Sequence, residues 1–155
     1  MPALPQPVSE FLSQKTIAVA GVSRDPREAA NAVYRKLRGL GYRVFAVNPN
    51  ATRVEGDPCY PDLGSIPEAL EAVIIATHPD VAVQVVRQCA ELAIRQVWLH
   101  RSFGQGSVAE EAVRECESQG IRCLVGGCPM MYCEPVDFGH RCMRWILKLQ
   151  NRLPG

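Results

Sequence analysis

Short apolar runs alternate with amphipathic stretches along the 155 residues of the chain. The runs are Thr16-Ile-Ala-Val-Ala-Gly21, Arg43-Val-Phe-Ala-Val47, Ala72-Val-Ile-Ile-Ala76, Gln96-Val-Trp-Leu99 and Ile121 to Val125. Each is too short for a helix, and together they predict five buried strands. Helix-start signals fall between them. In Asp25-Pro26-Arg27-Glu28 the aspartate can cap, the proline suits the first turn and the glutamate can reach back, which predicts a helix to Leu40 with Gly41 as its stop. Ser65-Ile66-Pro67-Glu68 predicts a short helix. Pro79-Asp80 opens another, striped by Val81, Val85, Cys89 and Leu92, and Ser107-Val-Ala-Glu110 opens one that stops at Gly120. Gly139 to Leu149 reads as a final amphipathic helix with Cys142, Trp145, Ile146 and Leu149 facing inward. Residues 51–64 read as a loop with one short strand near Glu55.

Near-continuous apolar strands alternating with helices imply a parallel sheet covered on both faces. The expected fold is α/β: a single Rossmann-like, doubly wound parallel sheet of about five strands with a C-terminal amphipathic helix. Residues 1–155 form one domain, with the core at 13–129 and a Cys-rich tail and helix at 130–155.

Composition narrows the function classes. Apolar residues make up 47 % of the chain, enough for a core. The net charge of +1 argues against nucleic acid or a membrane surface as partner. No apolar run approaches the ~20 residues of a membrane span. The segment MPALPQPVSEF has neither the basic nor the apolar region of a signal peptide, so a cytoplasmic protein is expected. Seven cysteines are then expected as free thiols.

In an open parallel sheet, ligands bind beyond the carboxyl ends of the strands, where strand order reverses. Those ends carry Gly21-Val-Ser-Arg-Asp25, Asn48-Pro49-Asn50, Thr77-His78-Pro79, His100-Arg101 and Gly126-Gly127-Cys128-Pro129. Gly21 can let a phosphate approach the backbone, Ser23 offers a hydroxyl, and Arg24 and Arg27 add charge beside a helix start. The same turn also reads as a plain strand-to-helix connection that needs Gly for its geometry. A dinucleotide fold would show G-x-G-x-x-G here and an acid after the second strand. This chain has Ser23 in place of the second glycine and ends the second strand in Asn48-Pro49-Asn50, which disfavours NAD. His78 and His100 read as a general base, a phosphate partner or hydrogen-bonded structural residues.

Cys123, Cys128, Cys133, His140 and Cys142 are soft ligands, but their spacing lacks the paired C-x2-C of a zinc ribbon. Ordinary core packing, a metal and a redox role for Cys128 all stay open.

The motifs Ala20-Gly-Val-Ser-Arg-Asp-Pro26, Gly41-Tyr-Arg-Val-Phe-Ala-Val-Asn-Pro49, Asp62-Leu-Gly-Ser-Ile-Pro-Glu68, Val97-Trp-Leu-His100 and Cys128-Pro129 occur in that order. On them, residues 13–129 resemble the small stand-alone type of coenzyme A-binding domain, similar to the nucleotide-binding domain of the succinyl-CoA synthetase α chain. The resemblance implies that Gly21, Val22 and Ser23 meet the pyrophosphate. Asn48 and Pro49 would border the adenosine, and Thr77, His78 and Pro79 the middle of the ligand. The family often has a Lys after Asn-Pro. This chain has Asn50, which leaves Arg53 as the candidate for the 3′-phosphate. The pantetheine arm would run toward Cys128, where Gly126 and Gly127 allow close approach.

The resemblance carries binding of coenzyme A or an acyl-CoA and carries no catalysis. The alternatives are a Rossmann enzyme using NAD(P) or another nucleotide, and a metal-binding interaction subunit. The tail helix could pack on its own sheet or on a second copy in a homodimer.

Overall fold

The computed structural model describes residues 3–102 and 104–154. The five expected strands are present as β1 (Thr16–Ala20), β2 (Arg43–Val47), β5 (Ala72–Ile75), β6 (Gln96–Leu99) and β7 (Arg122–Val125). Two further short strands, β3 (Arg53–Val54) and β4 (Asp57–Tyr60), extend the sheet to the order β3-β4-β2-β1-β5-β6-β7. All pairs are parallel except β3 with β4. The chain passes from β1 to β2 on one side and returns to β5 on the other, so strand order reverses at the carboxyl ends of β1 and β5.

The extra pair is a hairpin closed by Glu55 and Gly56, which both take positive φ (53° and 79°). That two-residue geometry matches the twist of the strands it joins. The expected strand near Glu55 is thus a turn between two strands.

Each strand alternates its side chains between two cores. Ile17, Val19, Ile74 and Trp98 pack with α1 (Gln6–Leu12), α2 (Ala29–Gly39) and α5 (Phe138–Leu149). Ala18, Ala20, Val73, Ile75 and Leu99 pack with α3 (Pro79–Glu91) and α4 (Glu110–Ser118) on the other face. Helix α1 was not expected. Its Val8 and Phe11 are fully buried, and Phe11 meets the Trp98 ring edge-on at 5.3 Å.

Four expected elements differ, the helix opening at Ser107 among them: α4 starts at Glu110, and the buried Ser107 hydroxyl donates to the Thr77 carbonyl at 2.6 Å. Helix α2 begins at Ala29 because the Asp25 carboxylate accepts from the Arg27 backbone N–H at 3.0 Å instead of capping a helix there. Ser65 opens no helix. Asp62 caps a single 3-10 turn over Leu63–Ser65, and Ile66 is extended (φ −73°, ψ 127°), as the residue before Pro67 tends to be.

Helix α5 is rotated from its expected orientation. Leu147 is its fully buried residue and Cys142 is exposed, while Phe138, Trp145 and Leu149 are 81 %, 65 % and 68 % exposed. Its polar anchors fix this: Arg141 Nε donates to the Val136 carbonyl (3.0 Å) and Arg144 Nη1 to the Met131 carbonyl (3.1 Å). Among the described residues no helix is long and apolar enough to cross a membrane.

Candidate functional site

The site is assembled by backbone bonds that prolong the sheet past its last side chains. Gly21 N–H donates to Val47, Ala76 N–H to Ala20, His100 N–H to Ile75 and Gly126 N–H to Leu99, each at 2.9 Å. The strand-end segments therefore lie side by side as one rim. The structure brings Gly21, Val22, Ser23, Asn48 and Thr77 together at the switch point.

Gly21 has φ +103°, and a Cβ there would stand 2.2 Å from the Ala76 carbonyl oxygen and 3.3 Å from Thr77 Cγ2. The position needs glycine for close passage of β1 against β5, whatever the ligand. Asn48 Nδ2 donates to the Val22 carbonyl at 3.0 Å, and its Oδ1 accepts from Asn50 N–H at 2.9 Å. One side chain thus ties the first turn to the second.

Sequence reasoning missed Asn31, the residue that holds the first turn in shape. It is buried in α2. Its Oδ1 accepts from Ser23 N–H (2.8 Å), and its Nδ2 donates to the Ser23 carbonyl (2.7 Å) and to Glu55 Oε1 (2.8 Å). The Ser23 hydroxyl in turn accepts from Asp25 N–H at 3.0 Å. The readable signal was an Asn in mid-helix three residues before a buried tyrosine, where it is a poor helix former unless its amide has work elsewhere.

The expected cationic residues separate. Arg27 forms a two-pronged pair with Asp25 (3.0 and 2.8 Å) and points into solvent. That pair holds the Asp25 carboxyl below its usual range. Arg24 is exposed and makes no ion pair among the described residues. Arg53 lies on the edge strand β3, and its Nη2 donates to the Gly56 carbonyl at 2.7 Å. Pro49 and Asn50 are exposed. His78 N-caps α3 with Pro79 in the first turn, and its exposed ring faces Asp80 at 3.2 Å.

Past β6 and β7 the environment is drier. His100 is 7 % exposed, and burial pushes its pKa down to about 4, with a smaller contribution from His140. Its ring is therefore neutral near pH 7. Cys128 is 3 % exposed, and burial pushes its thiol up to about 12. A thiol so held is protonated and slow toward disulfides, and Arg101, past the end of the neighbouring strand β6, is not among the influences on it. Cys133 lies beside it, pushed up to about 11 by burial. Cys123 lies on β7, Cys142 on the outer face of α5, and His140 Nδ1 is 2.6 Å from its own capping Asp137. Among the described residues no three His, Cys, Asp or Glu side chains converge to hold a metal. A cavity of about 570 Å³ lined by Leu12, Leu40, Tyr42 and Tyr132 opens at the amino ends of β1 and β2, away from this rim.

The rim is a polar shelf whose first turn is held in shape by Asn31 and Asn48. A protein family described as "CoA binding domain" matches residues 15–134. The chain is 29 % identical over 118 residues to an acetate–CoA ligase (ADP-forming) I of Archaeoglobus fulgidus, covering 72 % of this chain and 17 % of that protein. It is 29 % identical over 106 residues to the α subunit of an acetate–CoA ligase (ADP-forming) II of Pyrococcus furiosus, covering 68 % and 23 %. The chain thus spans a quarter or less of these curated relatives. Among solved structures, a hypothetical protein of Pyrococcus horikoshii OT3 superposes with a TM-score of 0.77 at 27 % identity, covering 88 % of this chain and 99 % of that one. A Thermus thermophilus protein gives 0.70 at 28 % identity, covering 89 % and 97 %.

Proposed function

The chain belongs to the coenzyme A-binding domain family, and from that premise we propose that it binds coenzyme A or an acyl-CoA across the carboxyl ends of β1, β2 and β5. The observation that carries the reading is the first turn itself. Gly21, Val22 and Ser23 are held at the switch point by the protein's own hydrogen bonds from Asn31 and Asn48. A turn fixed in advance loses little conformational freedom on binding, so more of the contact energy appears as affinity.

The pyrophosphate lies against Gly21, Val22 and Ser23 with Arg24 nearby, and the adenosine against Asn48, Pro49 and Asn50. The middle of the ligand crosses Thr77, His78 and Pro79, and the pantetheine arm runs toward Gly126, Gly127 and Cys128. Arg27 reaches the phosphates only by leaving Asp25, and Arg53 reaches a 3′-phosphate only by leaving Gly56. No catalytic step is part of this reading. The neutral, buried His100 and the protonated Cys128 suit a binding surface better than a nucleophile or a base that must exchange protons with solvent.

The test is calorimetric titration with coenzyme A, NAD and ATP in parallel. Coenzyme A is expected to bind at least tenfold more tightly than the other two. Equal affinities, or preference for NAD, would overturn the reading in favour of a general nucleotide fold.

A further inference from the structure

The ends of β6 and β7 present polar groups that have no partners among the described residues. His100 Nε2 is buried and makes no hydrogen bond, although its residue is 7 % exposed. Arg101 follows it, tied by its N–H to the Gly127 carbonyl at 2.9 Å. Its Nε is also buried and unbonded. The guanidinium lies over Gly126: a Cβ built there would be 3.0 Å from Arg101 Nη2 and 3.2 Å from Nε. The same point is 2.7 Å from the carbonyl oxygen of Arg152, so the C-terminal tail arrives at this spot too. Arg152 turns its own guanidinium to the Gly104 carbonyl, in the loop that follows Arg101.

The Arg101 guanidinium thus lies over Gly126 and that of Arg152 at Gly104, near enough for Arg152 to act on the charge of Arg101. Among the described residues, neither pairs with a carboxylate. Partial burial and, secondarily, the nearby Arg152 both work against the charge on Arg101. An arrangement of this kind is stabilised by an anion, and a planar guanidinium fork is shaped for a two-oxygen partner. Gly126 and Gly127, at φ +86° and +71°, let the C-terminal tail pack against this backbone: a Cβ on Gly127 would stand 3.0 Å from Pro154 Cδ and 3.4 Å from Leu153 Cδ2.

We propose that Arg101 and Arg152 form an oxyanion subsite that takes the terminal carboxylate of an acyl group carried on coenzyme A. The inference rests on the binding reading above, which runs the thiol end of the ligand toward β6 and β7. It adds a substrate class: thioesters of dicarboxylic acids over neutral acyl thioesters. Inorganic phosphate offers the same oxygens from a different source.

Titration of the full chain with glutaryl-CoA, pentanoyl-CoA, coenzyme A and inorganic phosphate separates these cases. Glutaryl-CoA and pentanoyl-CoA share a five-carbon chain and differ in the terminal carboxylate. Glutaryl-CoA is expected to bind about tenfold more tightly than pentanoyl-CoA, the order of one charge-assisted fork. The ratio should fall to about one in both Arg101→Gln and Arg152→Gln, with circular dichroism confirming that each variant folds. Equal affinities in the unmodified protein, or a ratio that survives both substitutions, would overturn the subsite. So would phosphate binding that needs Arg101 in a protein with no preference for glutaryl-CoA. Coenzyme A binding without acyl preference defeats this inference alone, whereas no binding of coenzyme A defeats the parent reading with it.

Discussion

At the ends of β1, β2 and β5, the polar groups that shape the first turn find partners inside the protein. Asn31 answers both the N–H and the carbonyl of Ser23, Asn48 answers Val22, and Asp25 answers Arg27. At the ends of β6 and β7, His100 Nε2 and Arg101 Nε are buried with no partner among the described residues. The same sheet therefore carries a finished half and an unfinished half along one rim. A buried polar group without a partner costs about 1–3 kcal/mol, a cost a fold retains where something else supplies the partner. The finished half reads as a scaffold for the part of the ligand common to all coenzyme A thioesters. The unfinished half reads as the place where one thioester is told from another.

The largest expected effect tests whether the finished half is scaffold. In Gly21→Ala the new methyl would sit 2.2 Å from the Ala76 carbonyl oxygen with the backbone at φ +103°. The strands must part, at an expected cost of about 4 kcal/mol, measured by urea denaturation. A variant that keeps its stability and loses only coenzyme A would assign the glycine to the ligand and break the comparison.

The next effect probes the unfinished half through pH. His100 titrates near 6.5 when exposed and near 4 in the fold. The unfolded chain therefore takes up the proton first, and stability falls as pH drops from about 6.5 to about 4. The full loss is on the order of 3 kcal/mol. His140 on α5 is the charged neighbour that adds to the shift, and it is itself paired with Asp137. Asp25, Asp57, Glu71 and Asp137 have lowered pKa values and lose their contributions at the acid end of the same range. The informative quantity is thus the difference from His100→Gln, in which the slope between pH 6.5 and 4.5 should flatten. An unchanged slope would mean that His100 finds a partner in solution, and the two halves would then be alike.

The parallel strands were legible because buried β-branched runs leave little else to form, and the positions of Gly21, Ser23, Asn48 and Thr77 followed from the topology that those runs impose. What stayed hidden depended on hydrogen bonds between distant segments. Asn31 reaches Ser23 eight residues away and Glu55 twenty-four away. The rotation of α5 was equally unreadable. Apolar residues cover a broad arc of that helix, wider than the face that packs, and two arginine-to-carbonyl bonds decide which of them face inward. The helix expected at Ser65 failed for a local reason, because Pro67 holds Ile66 extended.

The smallest expected effect concerns the arginines of the finished half and asks which end of the ligand each one meets. Arg24 and Arg27 stand beside the first turn, where the pyrophosphate is placed, so removing both should weaken coenzyme A and dephospho-coenzyme A equally. Arg27 is already engaged by Asp25 in solvent, and an exposed pair yields little when exchanged for another. The joint loss should therefore be only severalfold. Arg53→Ala should instead weaken coenzyme A while leaving dephospho-coenzyme A untouched, because Arg53 follows the second strand's end in the chain, where the adenosine is placed. Its existing bond to the Gly56 carbonyl competes with the phosphate and keeps this effect severalfold too. Titration of both ligands against the Arg24→Ala/Arg27→Ala and Arg53→Ala proteins reads the two losses directly. A selective loss in the double variant would place the 3′-phosphate beside the first turn and reverse the ligand. The unpaired guanidiniums at β6 and β7 would then face the adenosine end, and a preference for carboxylate-bearing acyl groups could not arise there.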